Sequence, residues 1–291
     1  MLLSVLTFQG ALVIIDTFSS KAFYFAWCCG WAARLRNIPY VPIMRGGNLM
    51  MRFDRNPVLC RQLFKNSKAI ISVSKFLQSG LKAAGYESIY LPNMIDLKNY
   101  PFTNRVEFFP RLLWVRSFHK TYNPLLAVRI LKELMDYHPL ANLAMVGPDK
   151  DDTKTRVMEL AKQLGVSSGI QITGKQSKEE WIRLSSGYDL FVNTTNYDNM
   201  PVSVIEAMAL GLPVISTNVG GMPYLIQDGV DGYLVEPGDV TGFVKRIIEL
   251  IQHPEKAREM AANARKKAEG FDSAVVMAKW KSLIEGIIYG V

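Results

Sequence analysis

The stretch DNMPVSVIEAMALGLPVIS, residues 198–216, gathers the residues best placed to do chemistry. It reads as a loop, a short helix capped at both ends, and a buried strand. Asn199 precedes the helix, and Pro201 suits the first helical position, where a missing N–H costs nothing. Gly211 ends the helix and Pro213 forbids its continuation. The free N–H groups of Val202 and Ser203 then form an anion site at a helix N-terminus. Glu206 lies about one 5.4 Å turn further in, on an otherwise apolar helix. Helical side chains lean toward the N-terminus, so Glu206 reaches back toward whatever is held there. A phosphate joined to a sugar bearing hydroxyls fits such a pair.

The elements that must position these residues alternate regularly. Strands are expected at 111–117, 141–147, 169–173, 189–194, 213–217 and 232–235. Helices are expected between them, and three more, at 239–252, 254–269 and 272–288, follow the last strand. Ser177 and Glu180 form a capping-box pair. Such alternation implies a parallel sheet covered on both faces. In open α/β sheets ligands bind beyond the carboxyl ends of the strands. On that rim stand Arg116 with Lys120, Gly147, Gly174 with Lys175, and Asp198. Arg116 and Lys120 are expected to face the helix N-terminus and hold a diphosphate by charge-assisted hydrogen bonds. If the diphosphate leaves, the same donors stabilise the charge that grows.

Before residue 92 a strand–helix–strand pattern is also visible. A strand at 11–15 is followed by a helix from Ser19 or Ser20 to Arg36 that is apolar all round in its middle; it is membrane-seeking or packed under a sheet. Tyr40 to Met44 is a second strand, and Pro42 inside it predicts an edge or a bulge. It runs into Arg45, Gly46 and Gly47, where the glycines permit close backbone approach to a ligand or form a plain turn. Further strands are expected at 69–73 and 89–91. Pro92, Pro101 and Pro110 mark a boundary, so the domains are taken as 1–100, 101–270 and a C-terminal helix over 271–291.

Composition narrows the class. A content of 49% apolar and 21% charged residues excludes a disordered chain, and 291 residues suffice for two cores. Cys28, Cys29 and Cys60 give neither a disulfide framework nor a metal spacing, which favours a reducing, cytoplasmic compartment; no metal is expected. Residues 1–100 hold 12 Lys and Arg against 4 Asp and Glu, whereas the rest is balanced at 22 of each. This basic half suits an anionic partner such as a membrane surface, a lipid-linked phosphate or nucleic acid, or else forms a solvated face. No segment is long and apolar enough to span a bilayer, and the opening residues lack the pattern of a secretory leader. There is no Gly-x-Gly-x-x-Gly after a strand, no Walker loop and no nucleophile elbow. No aromatic-plus-basic ribbon for RNA is present either, so neither a dinucleotide cofactor nor a nucleic-acid partner is expected.

These residues resemble the family 4 glycosyltransferases, which have the GT-B fold of two Rossmann-like α/β domains. Asp198 and Glu206 look like the family's pair of acids with seven residues between them, followed by Ala-Met-Ala and a Gly-x-Pro-Val-Ile strand. The resemblance implies that Glu206 binds the ribose of a nucleotide and that Asp198 contacts the donor sugar, from a side chain one methylene shorter than the usual Glu. It further implies that Arg116 and Lys120 hold the donor diphosphate. Gly147, Gly174, Lys175, Asn199, Met200, Pro201, Val202 and Ser203 would then belong to the donor site. Val219–Pro223 resembles the family's Gly-Gly turn, with Tyr224 in place of its Glu. Arg45, Gly46 and Gly47 stand where many members have a His before the glycine, so Arg45 would face acceptor or phosphate.

The implied activity is retaining, metal-independent transfer from a UDP- or GDP-linked sugar to a glycan or lipid-linked acceptor. No cofactor is implied beyond that co-substrate, and peripheral contact with the inner face of the membrane is a further expectation. Family members usually begin with an additional strand and a Gly-rich loop. The first domain is therefore expected to be incomplete, with an unpaired sheet edge. The alternative is an inactive fragment that binds nucleotide only. The last helix is expected to cross back onto the first domain.

Overall fold

The computed structural model describes residues 10–290. Most of the segment read for a leader pattern, residues 1–9, lies outside the described residues. The chain divides into two compact units, residues 1–94 with 273–291, and residues 95–272.

The first unit runs β1 (Val13–Thr17), α1 (Ala22–Leu35), β2 (Tyr40–Met44), α2 (Met50–Arg55), α3 (Pro57–Phe64), β3 (Ile71–Ser72), α4 (Lys75–Ala83) and β4 (Ile89–Tyr90). Its parallel sheet has the order β1-β2-β3-β4, and among the described residues β1 has a neighbour on one side only. Pro42 does not mark an edge: β2 is an inner strand between β1 and β3. Its pairing with β3 covers only Ile43 and Met44, beyond the proline, so no ladder bond is asked of the missing N–H. The helix that reads as apolar all round is buried on one side. Phe23, Ala26, Cys29, Ala32 and Ala33 of α1 enter the core, while Tyr24, Phe25, Trp31 and Leu35 remain exposed. Ser74 caps α4 by accepting from Leu77 N at 3.2 Å.

The second unit runs β5 (Arg111–Val115), α5 (Pro124–Tyr137), β6 (Asn142–Val146), α6 (Thr153–Gln163), β7 (Ile170–Gly174), α7 (Lys178–Ser185), β8 (Leu190–Asn193), α8 (Val202–Ala209), β9 (Val214–Thr217), α9 (Met222–Leu225), β10 (Tyr233–Val235), α10 (Val240–Gln252) and α11 (Pro254–Glu269). The Ser177–Glu180 capping box at the start of α7 is complete. All six strands are parallel in the order β10-β9-β8-β5-β6-β7. Successive residues of β5 feed opposite cores: Leu112 and Trp114 join one apolar cluster, Leu113 the other. The strand order reverses between β5 and β8, so the carboxyl ends of these two strands flank the topological switch point. The last helix, α12 (Ser273–Tyr289), rejoins the first unit, where Trp280, Leu283 and Ile287 pack against its core.

Candidate functional site

A cavity of about 290 Å³ opens at this switch point. Arg116, directly after β5, Gly147 after β6, Lys175 after β7, and Val202, Ser203 and Glu206 of α8 all line it. Pro201 stands one place before the first helical residue rather than in it, with extended backbone (φ −69°, ψ 121°). Its carbonyl accepts from Val204 N and Ile205 N, which leaves the N–H groups of Val202 and Ser203 as the open donors of the helix.

Arg116 is held in two ways. Its guanidinium stacks 4.2 Å over the Tyr122 ring and pairs with the Asp198 carboxylate, and burial pushes its pKa below the ordinary value. Its Nε is buried without a hydrogen-bond partner, and so is the Ser203 hydroxyl. Ser203 is 7% exposed. Two buried polar groups without protein partners beside one cavity are donors suited to an acceptor held there.

Glu206 is 2% exposed and accepts from the Tyr100 hydroxyl at 2.7 Å. Lys178, at the start of α7, supplies its ion-pair partner. The Tyr100 phenol is raised far above its ordinary range, first by burial and then by its bond to Glu206. A buried carboxylate is tolerable only when paired and hydrogen-bonded, and these two side chains provide both.

Gly147 and Gly221 fix the backbone around these groups. Gly147 has φ +151°, and a Cβ there would collide with the Arg116 carbonyl. Its N–H donates to Gly174 O at 2.8 Å, which ties the ends of β6 and β7. A Cβ on Gly221 would strike the Asn199 backbone, and Gly221 N donates to Asp198 O at 2.8 Å. The Val219–Pro223 turn thus presses against the loop that enters α8.

The remaining sequence candidates fall outside the lining. Asp198 is committed to Arg116 and accepts from Asn199 N at 2.8 Å. Asn199, Met200 and Pro201 are buried supports of the loop. Lys120 is exposed and does not line the cavity, whereas Lys178 lines it and pairs with Glu206. In the first unit, Arg45 bonds Asp16 Oδ1 at 2.5 Å and Asn93 Oδ1 at 3.2 Å, so it ties β1 to the end of that unit. A Cβ on Gly46 would meet the Ser19 backbone, and Gly47 opens a single 3₁₀ turn. Sequence reasoning missed Lys178, Tyr100, Tyr122 and Trp181. The only local hint was the place of Lys178 directly after the Ser177 cap. Among the described residues no three His, Cys, Asp or Glu side chains come together as a metal group, and no helix is long and apolar enough to cross a membrane.

Known proteins share this arrangement of strands. HepE of Anabaena, solved in complex with UDP, superposes with a TM-score of 0.84 at 18% identity, covering 98% of this chain and 80% of that one. Sucrose-phosphate synthase of Thermosynechococcus elongatus superposes with a TM-score of 0.80 at 17% identity, covering 98% of this chain and 75% of that one. At these identities the likeness establishes the two-domain α/β fold of GT-B type. In sequence, N-acetyl-alpha-D-glucosaminyl L-malate synthase of Bacillus anthracis is 32% identical over 45% of this chain, and sulfoquinovosyl transferase SQD2 of Arabidopsis thaliana is 30% identical over 50%. These matches span 34% and 28% of the relatives' own lengths. The family described as glycosyl transferases group 1 matches residues 101–267, from the segment carrying Tyr100's neighbours to the end of α11. That match contains the whole cavity apart from Tyr100's support of Glu206, and the chain therefore belongs to the glycosyl transferases group 1.

Proposed function

We propose that the chain is a glycosyltransferase moving a sugar from a nucleotide diphosphate sugar to a glycan or lipid-linked acceptor, with retention of configuration and without a metal. The observation that carries the reading is the pair of unpartnered buried donors, Ser203 Oγ and Arg116 Nε, beside the open N–H groups of α8 with Glu206 one turn in. A phosphate would accept from these donors, with the helix dipole favouring its charge. Glu206 would accept from ribose hydroxyls, which then compete with Tyr100 and Lys178. As the bond from the sugar to the diphosphate breaks, negative charge grows on the departing oxygen and strengthens its bonds to Arg116 and Ser203. In this reading the acceptor hydroxyl attacks on the face the diphosphate leaves, and its proton goes to the departing phosphate. Asp198, which pairs with Arg116, and Lys120 act at the edge of the site in this reading. Action at the inner face of a membrane, through the basic first 100 residues, is part of the same proposal, and nucleic acid is not a partner in it.

Calorimetry with UDP and GDP on wild type and Glu206→Ala tests the site. The variant should lose affinity roughly tenfold or more for the nucleotide that binds; equal binding by both proteins would sink the ribose role. A second reading, nucleotide binding without turnover, is favoured by one observation: Asp198 is paired with Arg116 and neither Asp198 nor Lys120 lines the cavity. Donor turnover by this chain alone would remove it.

A further inference from the structure

A cavity of the first unit lies away from the residues lining the switch-point cavity. It has a volume of about 750 Å³ and opens at the start of β2, between the second half of α1 and the end of α3. That volume is within the range of small-molecule sites. Trp27 and Trp31 are one helical turn apart, so their indoles stand on one side of α1, and both line the cavity. Trp31 is 50% exposed. The Trp27 ring is fixed by donating its N–H to Gln62 Oε1 at 2.9 Å. Asn66 is ordered beside it through a bond from Nδ2 to the Gln62 carbonyl at 3.0 Å.

The charge of the lining is one-sided. Arg34, three residues beyond Trp31, and Lys68 both contribute, and no carboxylate does. Neither cation forms an ion pair among the described residues. Asp54 is the sole acidic residue between Arg34 and Lys68 in sequence. Indole faces match the C–H faces of a pyranose, side-chain amides bond its hydroxyls, and a guanidinium grips a carboxylate or phosphate in bidentate fashion. The strand β2 separates this cavity from Arg45, Gly46 and Gly47 at its other end by about 16 Å.

We propose that the cavity formed by Trp27, Trp31, Gln62, Asn66, Arg34 and Lys68 is a second saccharide site, selective for a pyranose that carries a carboxylate or a phosphate. It is independent of the donor reading, since all its residues belong to the first unit.

Titration by saturation-transfer NMR tests it, with glucose 6-phosphate and glucuronic acid as probes and with glucose, inorganic phosphate and uridine monophosphate as controls. At least one of the two anionic sugars should bind more tightly than every control. Trp31→Ala and Arg34→Gln should each weaken that binding about tenfold or more. Both residues are exposed, so thermal melts should show both variants folded. Ser203→Ala, which alters the other cavity, should leave the binding unchanged. Preference for glucose 6-phosphate alone would identify a sugar phosphate, and preference for glucuronic acid alone a uronate-bearing glycan. Equal binding of glucose or inorganic phosphate, tighter binding of uridine monophosphate, retention of affinity by Trp31→Ala and Arg34→Gln, or no binding at all would overturn the proposal.

Discussion

Ser203 and Glu206 are both buried on α8, yet they meet opposite fates in the empty site. Glu206 has Tyr100 and Lys178 as partners, whereas the Ser203 hydroxyl has none. The two therefore respond differently to removal. Ser203→Ala deletes a group that contributes nothing to the empty protein, so the melting temperature without ligand should stay level or rise. UDP affinity should fall about tenfold, because a hydrogen bond to a charged phosphate is lost. Thermal melts and calorimetry on one preparation check both arms. Tyr100→Phe should behave in reverse, costing on the order of 1–2 kcal/mol of stability because Glu206 keeps one partner instead of two. Chemical denaturation measures that cost. Glu206 and the helix N-terminus were legible because they share one local loop–helix run, and Arg116 because it directly follows a strand of the alternating pattern. Tyr100 was not, since it lies 106 residues from Glu206 and only tertiary structure brings it near. Lys178 was not legible for a related reason: charge is visible in sequence, but the direction of a long side chain is not.

At the scale of elements, Arg105 is a buried side chain that helps fasten the connection from Ile95 to Pro110. Arg105 donates to Tyr188 O at 2.9 Å, Gly211 O at 2.9 Å and Ser185 O at 3.2 Å, at the C-terminal ends of α7 and α8, with Asp189 3.9 Å away. A cation there satisfies carbonyls that a helix end leaves unpaired and opposes the helix dipole. Burial lowers its pKa to about 10, still charged at neutral pH. Arg105→Ala should cost on the order of 3 kcal/mol by orphaning those carbonyls, whereas Asp189 keeps Arg111 and the Phe109 N–H; denaturant unfolding reads the cost. A second fastening joins β10, α10 and α11. Burial works to raise the pKa of Glu249, but hydrogen bonds from Lys256, Arg246 and Tyr233 overcome it and hold the group at about 2, below the ordinary 4.5. A depressed carboxylate stabilises above its unfolded pKa, and that contribution is lost as pH falls through the folded value. Glu249→Gln should therefore melt lower than wild type at pH 7, and the gap should close between about pH 4.5 and about pH 2. The strands of the second unit were legible as short apolar runs bounded by turns. Those of the first unit were less so: β3 and β4 have two residues each, too few for periodicity to register, and Pro42 misled because the extent of pairing with β3 is not a local property.

For the whole molecule, the alternation of strands and helices made two α/β units legible, and the basic excess before residue 100 separated them by charge. The place of α12 was not legible from periodicity. Trp280, Leu283 and Ile287 recur at helical spacing and announce an apolar stripe, but nothing local says which core it covers; only the family resemblance suggested the first. In the structure these residues pack against the core of the first unit, although the chain reaches α12 through the second. The consequence is a separable test of the two units. Trp280→Ala with Leu283→Ala removes two partly buried apolar side chains from the first unit alone, at a cost of roughly 2–4 kcal/mol, less than for fully buried positions. Native-state hydrogen exchange should then speed up in β1 and β2 and stay unchanged in β5, β6 and β8. UDP affinity should also hold, since every residue lining the switch-point cavity belongs to the second unit. Faster exchange in both sheets would mean that the units open together, and that α12 supports the donor cavity as well as the first core.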